Sequence, residues 1–141
     1  MTRAFVFDYE ITLSTSLDEL DRLQAWIEGH LETLDCPAKV CSQIAVVTEE
    51  IFVNLIGYAY GGNAGTAVVR LGIHDREVMM QFEDEGIAFN PLEYPKPDLS
   101  TDIANRTVGN LGIYLTKRLT DKFIYSRTGG KNLLTVYKNI E

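Results

Sequence analysis

Glu50 and Asn54 place a carboxylate and a carboxamide four residues apart in a segment with helical periodicity. Residues at this spacing share a helix face, so both should lie on the margin of the apolar stripe through Ile51, with Glu49 turned away. Their oxygens could hold Mg²⁺ directly or through water, and the carboxylate could accept a proton from an attacking hydroxyl. The alternative interpretation is a solvated glutamate beside an asparagine that bonds locally near the helix end.

A second candidate group follows a predicted strand. Val78, Met80 and Phe82 alternate with polar residues, and the next residue in the same phase is Asp84. An inward carboxylate at the end of an apolar strand is costly unless a dedicated donor meets it, and the exocyclic amino group of a purine is such a donor. Gly86 would allow close approach of the backbone to a ligand, or a positive φ. The alternative is an ordinary turn.

The third candidate group is the segment 108–113, in which Gly109 and Gly112 precede or open a predicted helix. Glycines expose backbone N–H groups, and a helix N-terminus favours anions, so this segment could bind phosphate. A single pair of glycines before a helix is also common in proteins without such a site. The functional interpretation therefore depends on the three groups occurring together, in this order along the chain.

The elements that must position these residues form a single domain over residues 1–141. The predicted order is strand, two helices, two strands, a long loop, a helix and a closing hairpin. This order predicts an α/β (α+β) two-layer sandwich with helices on one face of a mixed or antiparallel sheet. The loop from Asn90 to about Val108 is long enough to be a functional lid. The predicted bounds are Phe5–Leu13, a helix from Ser16 to about Thr33, about Ala38–Tyr58, strands on either side of a turn near Asp75, about Leu111–Leu119, and strands Asp121–Ser126 and Leu133–Tyr137.

Composition narrows the classes of function. The net charge is −7 and no basic run of five or more residues occurs, which argues against nucleic acid and anionic membranes as partners. We find no apolar stretch near the ~18–20 residues of a membrane span and no signal sequence at the N-terminus, so we predict a cytoplasmic protein. Cys36 and Cys41 are too few for a disulfide framework and are interpreted as small residues packed near a helix.

At these residues the sequence resembles the Bergerat-fold ATPases. Glu50 to Asn54 resembles the asparagine box of that superfamily, Asp84-Glu85-Gly86 its first glycine box, and Gly109 to Gly112 its second. Within the superfamily the sequence is most similar to the small single-domain anti-sigma-factor serine/threonine kinases of partner-switching systems. The resemblance extends over nearly the whole chain.

The resemblance implies a role for each matched position. Glu50 would be the general base, and Asn54 would coordinate Mg²⁺ and contact ATP. The remaining ATP-binding positions would be Asp84 at the adenine amino group, Gly86 and Ala88 beside it, Gly109, Leu111 and Gly112 at the phosphates under a lid over 91–108, and Thr135 near the adenine in an uncertain register.

The resemblance also implies partners and leaves alternatives. The substrate would be a STAS-type anti-sigma antagonist phosphorylated on serine or threonine, a sigma factor would be held inactive, and the chain would form a homodimer. Two residues depart from the family pattern, Tyr58 where histidine is frequent and Asn110 where glycine is usual. A non-catalytic ATP-binding module that sequesters a regulator is the main alternative. A detached histidine kinase domain is weaker, because neither His30 nor His74 lies in a phosphoacceptor motif.

Overall fold

The protein is described here by a computed structural model that covers residues 7–61, 63–91 and 110–140, with side chains from residue 113 onward in the last range. Within these ranges the chain forms five strands and three helices in the predicted order. Their bounds are β1 Tyr9–Ser14, a 3₁₀ turn Leu17–Glu19 leading into α1 Leu20–Glu32, α2 Ala38–Tyr58, β2 Thr66–His74, β3 Glu77–Asp84, α3 Asn110–Leu119, β4 Lys122–Thr128 and β5 Lys131–Asn139.

The strands form one sheet in the order β1-β2-β3-β5-β4. Each neighbouring pair is antiparallel, so the sheet is antiparallel rather than mixed. Asp84, the last residue of β3, is paired with Ala67 on one side and with Asn132 on the other. This register brings the end of β3 beside the beginning of β5, which is where the candidate site lies.

The helices cover one face of the sheet and bury the side chains that the alternation marked as inward. Val78, Met80 and Phe82 of β3 are at most 2% exposed, and Ile44 and Ile51 of α2 are buried against the same face. Burial of each large apolar side chain stabilises the fold by about 1.5–3 kcal/mol. The two-layer α/β sandwich is confirmed, and Asp84 lies in the predicted inward phase.

Helix α2 has the bounds that its periodicity predicted, and it corrects one expectation. Its 21 residues are long and apolar enough to cross a membrane by length and composition, with a mean hydropathy of 1.4 over an 18-residue window. A core helix of a globular domain meets the same criterion. Seven residues of α2, among them Val47 and Phe52, are buried against the sheet and the neighbouring helices. The apolar character of α2 is thus explained by its place in the core.

The closing hairpin is longer than predicted. Gly129 and Gly130 have φ values of 58° and 77°, which a two-residue hairpin turn requires at both central positions. Because the turn is so tight, β5 begins at Lys131 instead of Leu133. Asn132 is consequently part of the sheet and shares the inward phase of Leu134 and Val136.

Candidate functional site

One cavity lies between the C-terminal half of α2, the end of β3, α3 and the closing hairpin. Its walls are mainly apolar, and its polar groups come from α2, β3, β4 and β5. The enclosed space is about 40 Å³, far below the roughly 300–1,000 Å³ of typical small-molecule sites, so these residues form the floor of a site rather than a complete pocket. The polar lining residues are Asn54, Asp84, Tyr125 and Asn132.

Asp84 lines this cavity and is only 8% exposed. Its Oδ1 accepts hydrogen bonds from the backbone N–H of Gly86 and from Nδ2 of Asn132, both at 2.9 Å. Among the described residues no donor contacts its second oxygen, Oδ2. A buried carboxylate oxygen without a donor is costly, so this atom is suited to a ligand that brings an N–H group.

Asn132 is the residue that the sequence reasoning missed. It is 5% exposed, and its Nδ2 donates to Asp84 and, at 2.7 Å, to the carbonyl of Ile87. Its Oδ1 accepts from the Tyr125 hydroxyl and from the N–H of Phe89 at 3.4 Å. These four bonds use the full hydrogen-bonding capacity of the amide. They tie the hairpin to the segment after β3 and hold Asp84 in place.

Gly86 is required for a reason other than the two that we expected. Its φ is not positive, and a Cβ added to it would lie 1.7 Å from the backbone carbonyl oxygen of Ala59. The neighbouring Ile87 N–H donates to that same carbonyl at 2.8 Å. The glycine therefore lets the segment after β3 pack directly on the end of α2. The close approach is to the protein backbone, and it fixes the position of Asp84 relative to α2.

Asn54 reaches the cavity from α2. Its Nδ2 donates to the backbone carbonyl of Glu50 at 3.0 Å, a bond within the helix. With the nitrogen used in this way, Oδ1 has no donor among the described residues and remains available as an oxygen ligand. Among those residues no group of three or more histidine, cysteine, aspartate or glutamate side chains could hold a metal ion. A cation bound at Asn54 would therefore need oxygens from a ligand or from water.

Glu50 lies one helical turn before Asn54 and is half-buried, and it does not line the cavity floor. Burial, followed by the negative charge of the adjacent Glu49, raises the pKa of Glu50 above its usual value. No hydrogen bond or ion pair joins the carboxylate of Glu50 to another described residue. A raised pKa makes Glu50 a better proton acceptor than a solvated glutamate, which suits a general base.

The other predicted positions are placed less favourably or lie outside the described residues. Gly109 lies outside them, and Leu111 and Gly112 are in the first turn of α3 with their side chains undescribed. Ala88 is exposed and does not line the cavity. Thr135 is on the opposite sheet face, where its Oγ1 accepts from Gln81, so the structure does not bring it to Asp84. The inward position of β5 beside Asp84 belongs to Asn132.

The two residues that depart from the family pattern are Tyr58 and Asn110, and the structure describes the side chain of Tyr58 only. The ring of Tyr58, in the last turn of α2, stacks on that of Phe89 with a centroid separation of 4.1 Å and an interplanar angle of 11°. Phe89 lines the cavity, so Tyr58 supports one wall of it. Asn110 is the first residue of α3, and its side chain is outside the description.

Neither of the two cysteines forms a disulfide. Both are free and partly buried, as the interpretation of small packed residues requires. Burial and the neighbouring Cys41 raise the pKa of Cys36 to about 12. Because the thiolate is the nucleophilic form, Cys36 is protonated and unreactive near neutral pH.

Comparisons with known proteins identify the family of the domain. A family model described as a histidine kinase-like ATPase domain matches residues 13–138. A curated relative, the serine/threonine-protein kinase BtrW of Bordetella bronchiseptica, is 24% identical over 131 residues, which cover 92% of this chain and 89% of BtrW.

Two solved structures share the fold at low sequence identity. The histidine kinase AdeS of Acinetobacter baumannii superposes with a TM-score of 0.53 at 15% identity, over 93% of this chain and 68% of AdeS. The blue-light activated histidine kinase of Erythrobacter litoralis gives a TM-score of 0.52 at 18% identity, over 75% of this chain. The match spans about a third of that kinase, 32% of its length.

Proposed function

Because this chain belongs to the histidine kinase-like ATPase domain family, we propose that it uses Mg-ATP to phosphorylate a serine or threonine of a partner protein. The observation that carries the proposal is that Asp84 and Asn54 line the same cavity, with Glu50 one helical turn from Asn54. The name of its relative BtrW, a serine/threonine-protein kinase of nearly the same length, supports a protein hydroxyl as the acceptor.

The residues present fit an adenine nucleotide. Oδ2 of Asp84 would accept a hydrogen bond from the exocyclic amino group of adenine, and the apolar side chains of Phe82, Ile113 and Leu134 would pack on the base. Oδ1 of Asn54 would provide one protein oxygen to Mg²⁺, which commonly takes its remaining ligands from phosphates and water. Gly109, Leu111 and Gly112 would contribute backbone N–H groups at the phosphates.

In the proposed reaction Glu50 acts on the acceptor hydroxyl. Bound Mg-ATP would supply the γ-phosphoryl group, which passes to the hydroxyl oxygen as ADP leaves, and Mg²⁺ would offset the negative charge of the phosphates. Glu50 accepts the proton of the serine or threonine hydroxyl, and its raised pKa favours that acceptance. Asp84 and Asn54 would hold the nucleotide, so that binding and proton transfer depend on different side chains.

We further propose the partners that the sequence resemblance implies. The acceptor is a STAS-type anti-sigma antagonist. The second partner is a sigma factor, which this chain sequesters. The chain itself is a cytoplasmic homodimer. A phosphate on the antagonist adds charge and bulk at its docking surface and so releases it. The absence of long basic runs in the sequence supports protein partners over nucleic acid.

Phosphoryl transfer tests the proposal directly. The native chain, incubated with Mg-ATP and the antagonist of its own pathway, should move phosphate to one serine or threonine, detected by mass spectrometry. Glu50→Gln should slow this transfer by about 100-fold or more. Its ATP affinity, measured by calorimetry, should stay within about twofold of native, because Glu50 does not line the cavity. Failure of the native chain to transfer phosphate while it binds ATP would refute the kinase proposal.

A second function stays in competition: an ATP-binding module that sequesters a regulator without catalysis. The position of Glu50 outside the cavity lining and the presence of Tyr58 and Asn110 favour this alternative. Glu50→Gln distinguishes the two functions, since a sequestering module should keep its partner affinity and show no transfer in either form. A kinase should lose transfer only in the variant.

A further inference from the structure

The two oxygens of the Asp84 carboxylate have different surroundings. Oδ1 is held by the Gly86 N–H and by Nδ2 of Asn132, each at 2.9 Å. Oδ2 has no donor within the part of the chain that the structure describes, and the side chain lies against the cavity. Since both donors meet one oxygen, the protein satisfies one side of the carboxylate and leaves the other oxygen available as an acceptor.

The orientation of the Asn132 amide is fixed in the same way. Its nitrogen faces two acceptors, Asp84 Oδ1 and the Ile87 carbonyl, and its oxygen faces two donors, the Tyr125 hydroxyl and the Phe89 N–H. A flipped amide would place its oxygen against the two acceptor oxygens and its nitrogen against the Phe89 N–H, and only the Tyr125 hydroxyl, which can donate or accept, would tolerate the change. Asn132 therefore presents an N–H to residue 84, whatever side chain stands at position 84.

We propose that Asn132 is a positioning residue that determines base specificity, because it decides which atom of residue 84 faces the bound base. Tyr125 supports it with a hydrogen bond to the amide oxygen. The inference rests on the proposed binding of ATP in this cavity. In this inference residues 84 and 132 together discriminate between 6-amino and 6-oxo purines. All the hydrogen-bonding groups of the Asn132 amide are already used by the protein, so Asn132 does not contact the base itself.

This arrangement makes an unusual consequence testable. In Asp84→Asn, the Gly86 N–H and Asn132 Nδ2 both still require an acceptor at the Oδ1 position. The new amide must therefore turn its oxygen toward them and its nitrogen into the cavity. The atom that meets the base changes from acceptor to donor, so the preference should change from a 6-amino purine to a 6-oxo purine.

The experiment measures Mg²⁺-dependent binding of ATP and of inosine triphosphate, which carries a carbonyl in place of the amino group, by titration calorimetry. The native chain should bind ATP at least about tenfold more tightly than inosine triphosphate, given one hydrogen bond to a charged group. Asp84→Asn should reverse that order. Tyr125→Phe should reduce the ratio of the inosine triphosphate Kd to the ATP Kd below that of the native chain, because the amide of Asn132 is then held by one hydrogen bond fewer.

The role of Asn132 is isolated by combining Asp84→Asn with Asn132→Ala. Without the amide donor only the Gly86 N–H still orients the side chain at position 84, so the reversed preference for inosine triphosphate should become weaker than in Asp84→Asn alone. Thermal unfolding and circular dichroism check that each variant is folded, and Asp84→Asn with Tyr125→Phe replaces the first combination if that one unfolds. Its reversed preference should likewise be weakened.

The outcomes separate the two levels of the argument. If the native chain binds neither nucleotide, the proposed function is refuted and the inference with it. If the native chain binds ATP and folded Asp84→Asn keeps the ATP preference or binds neither nucleotide, the inference alone is refuted. An equal reversal with and without Asn132 would also overturn it, since the orientation would then have another cause.

Discussion

Asn132 and Asn54 carry the same side chain into one cavity, but the fold uses them in opposite ways. Asn132 makes four hydrogen bonds and is 5% exposed, so its position is determined by the protein. Asn54 makes one bond, to its own helix, and its oxygen has no donor among the described residues. The part of the site that the hairpin forms is pre-organised. The α2 margin, which is the edge of the helix that carries Glu50 and Asn54, keeps polar groups available for a ligand.

The same contrast holds for glycines. Gly86 has no space for a Cβ, because Ala59 lies against it, while Gly57 on α2 has nothing within 4 Å of that position. The fold therefore tolerates change on the α2 margin and not where the segment after β3 meets the helix end. Four changes test this difference, from the largest expected effect to the smallest.

Gly86→Ala should have the largest effect on stability. The added methyl group would meet the backbone of Ala59, which cannot rotate away, so we expect a loss of about 3 kcal/mol in unfolding free energy and a Tm lower by roughly 10 °C. The matched control is Gly57→Ala, which should gain about 0.5–1 kcal/mol through helix propensity. Equal effects in thermal melts of the two variants would contradict the contrast.

The comparison also shows what the sequence could and could not predict. The bounds of α2 and the inward phase of Asp84 were predicted correctly because each follows from a clear local period. The phase of β5 is ambiguous in the sequence, since Leu133-Leu134 and Val136-Tyr137 place apolar residues on both faces. A strand read from such a pattern can be assigned to either face. Thr135 was predicted from the family resemblance, in a register that this pattern could not fix, and Asn132 lay just outside the predicted strand Leu133–Tyr137.

Gly86 illustrates a second limit of the sequence. The motif identified the glycine, but its contact is with Ala59, 27 positions earlier in the chain, and no local pattern encodes that approach. The signal that could have identified Asn132 is the Gly129-Gly130 turn. Two adjacent residues with positive φ require a two-residue hairpin, which extends both strands to the turn and makes Asn132 part of β5.

Asn132→Ala should have the second largest effect. It leaves Asp84, Ile87 and Tyr125 each without one hydrogen-bond partner in a buried region, so we expect a loss of about 2 kcal/mol in denaturant unfolding. Asn54→Ala is the control, because it removes a single bond within a helix and improves helix propensity, and its stability should stay within about 0.5 kcal/mol of native. A larger loss at Asn54 than at Asn132 would reverse our view of the two regions.

The Tyr58–Phe89 stack joins the two regions and should have a smaller effect. Aromatic pairs of this geometry contribute about 0.5–1.5 kcal/mol beyond the area they bury. A double-mutant cycle with Tyr58→Leu and Phe89→Leu, measured by urea unfolding, should give a coupling energy in that range. A coupling of zero would mean that the end of α2 and the cavity wall are energetically independent.

The smallest expected effect concerns stability at Glu50 and depends on pH. Burial raises the pKa of Glu50 in the folded chain above its usual 4.5, so the folded state binds the proton more tightly than the unfolded state does. The favourable contribution of this group is complete below pH 4.5 and is lost as pH rises through the folded pKa. At pH 7.5 the ionised Glu50 is therefore slightly destabilising, and Glu50→Gln should raise the Tm. That gain should shrink as pH falls through the folded pKa of Glu50, because the protonated glutamate is neutral like glutamine. Glu49→Gln should also raise the Tm at pH 7.5, since it removes the second cause of the shift.

A Glu50→Gln gain that is constant from pH 4.5 to 7.5 would show that the carboxylate is no more costly in the folded chain than in water. The α2 margin would then lack the poised base on which the proposed phosphoryl transfer depends.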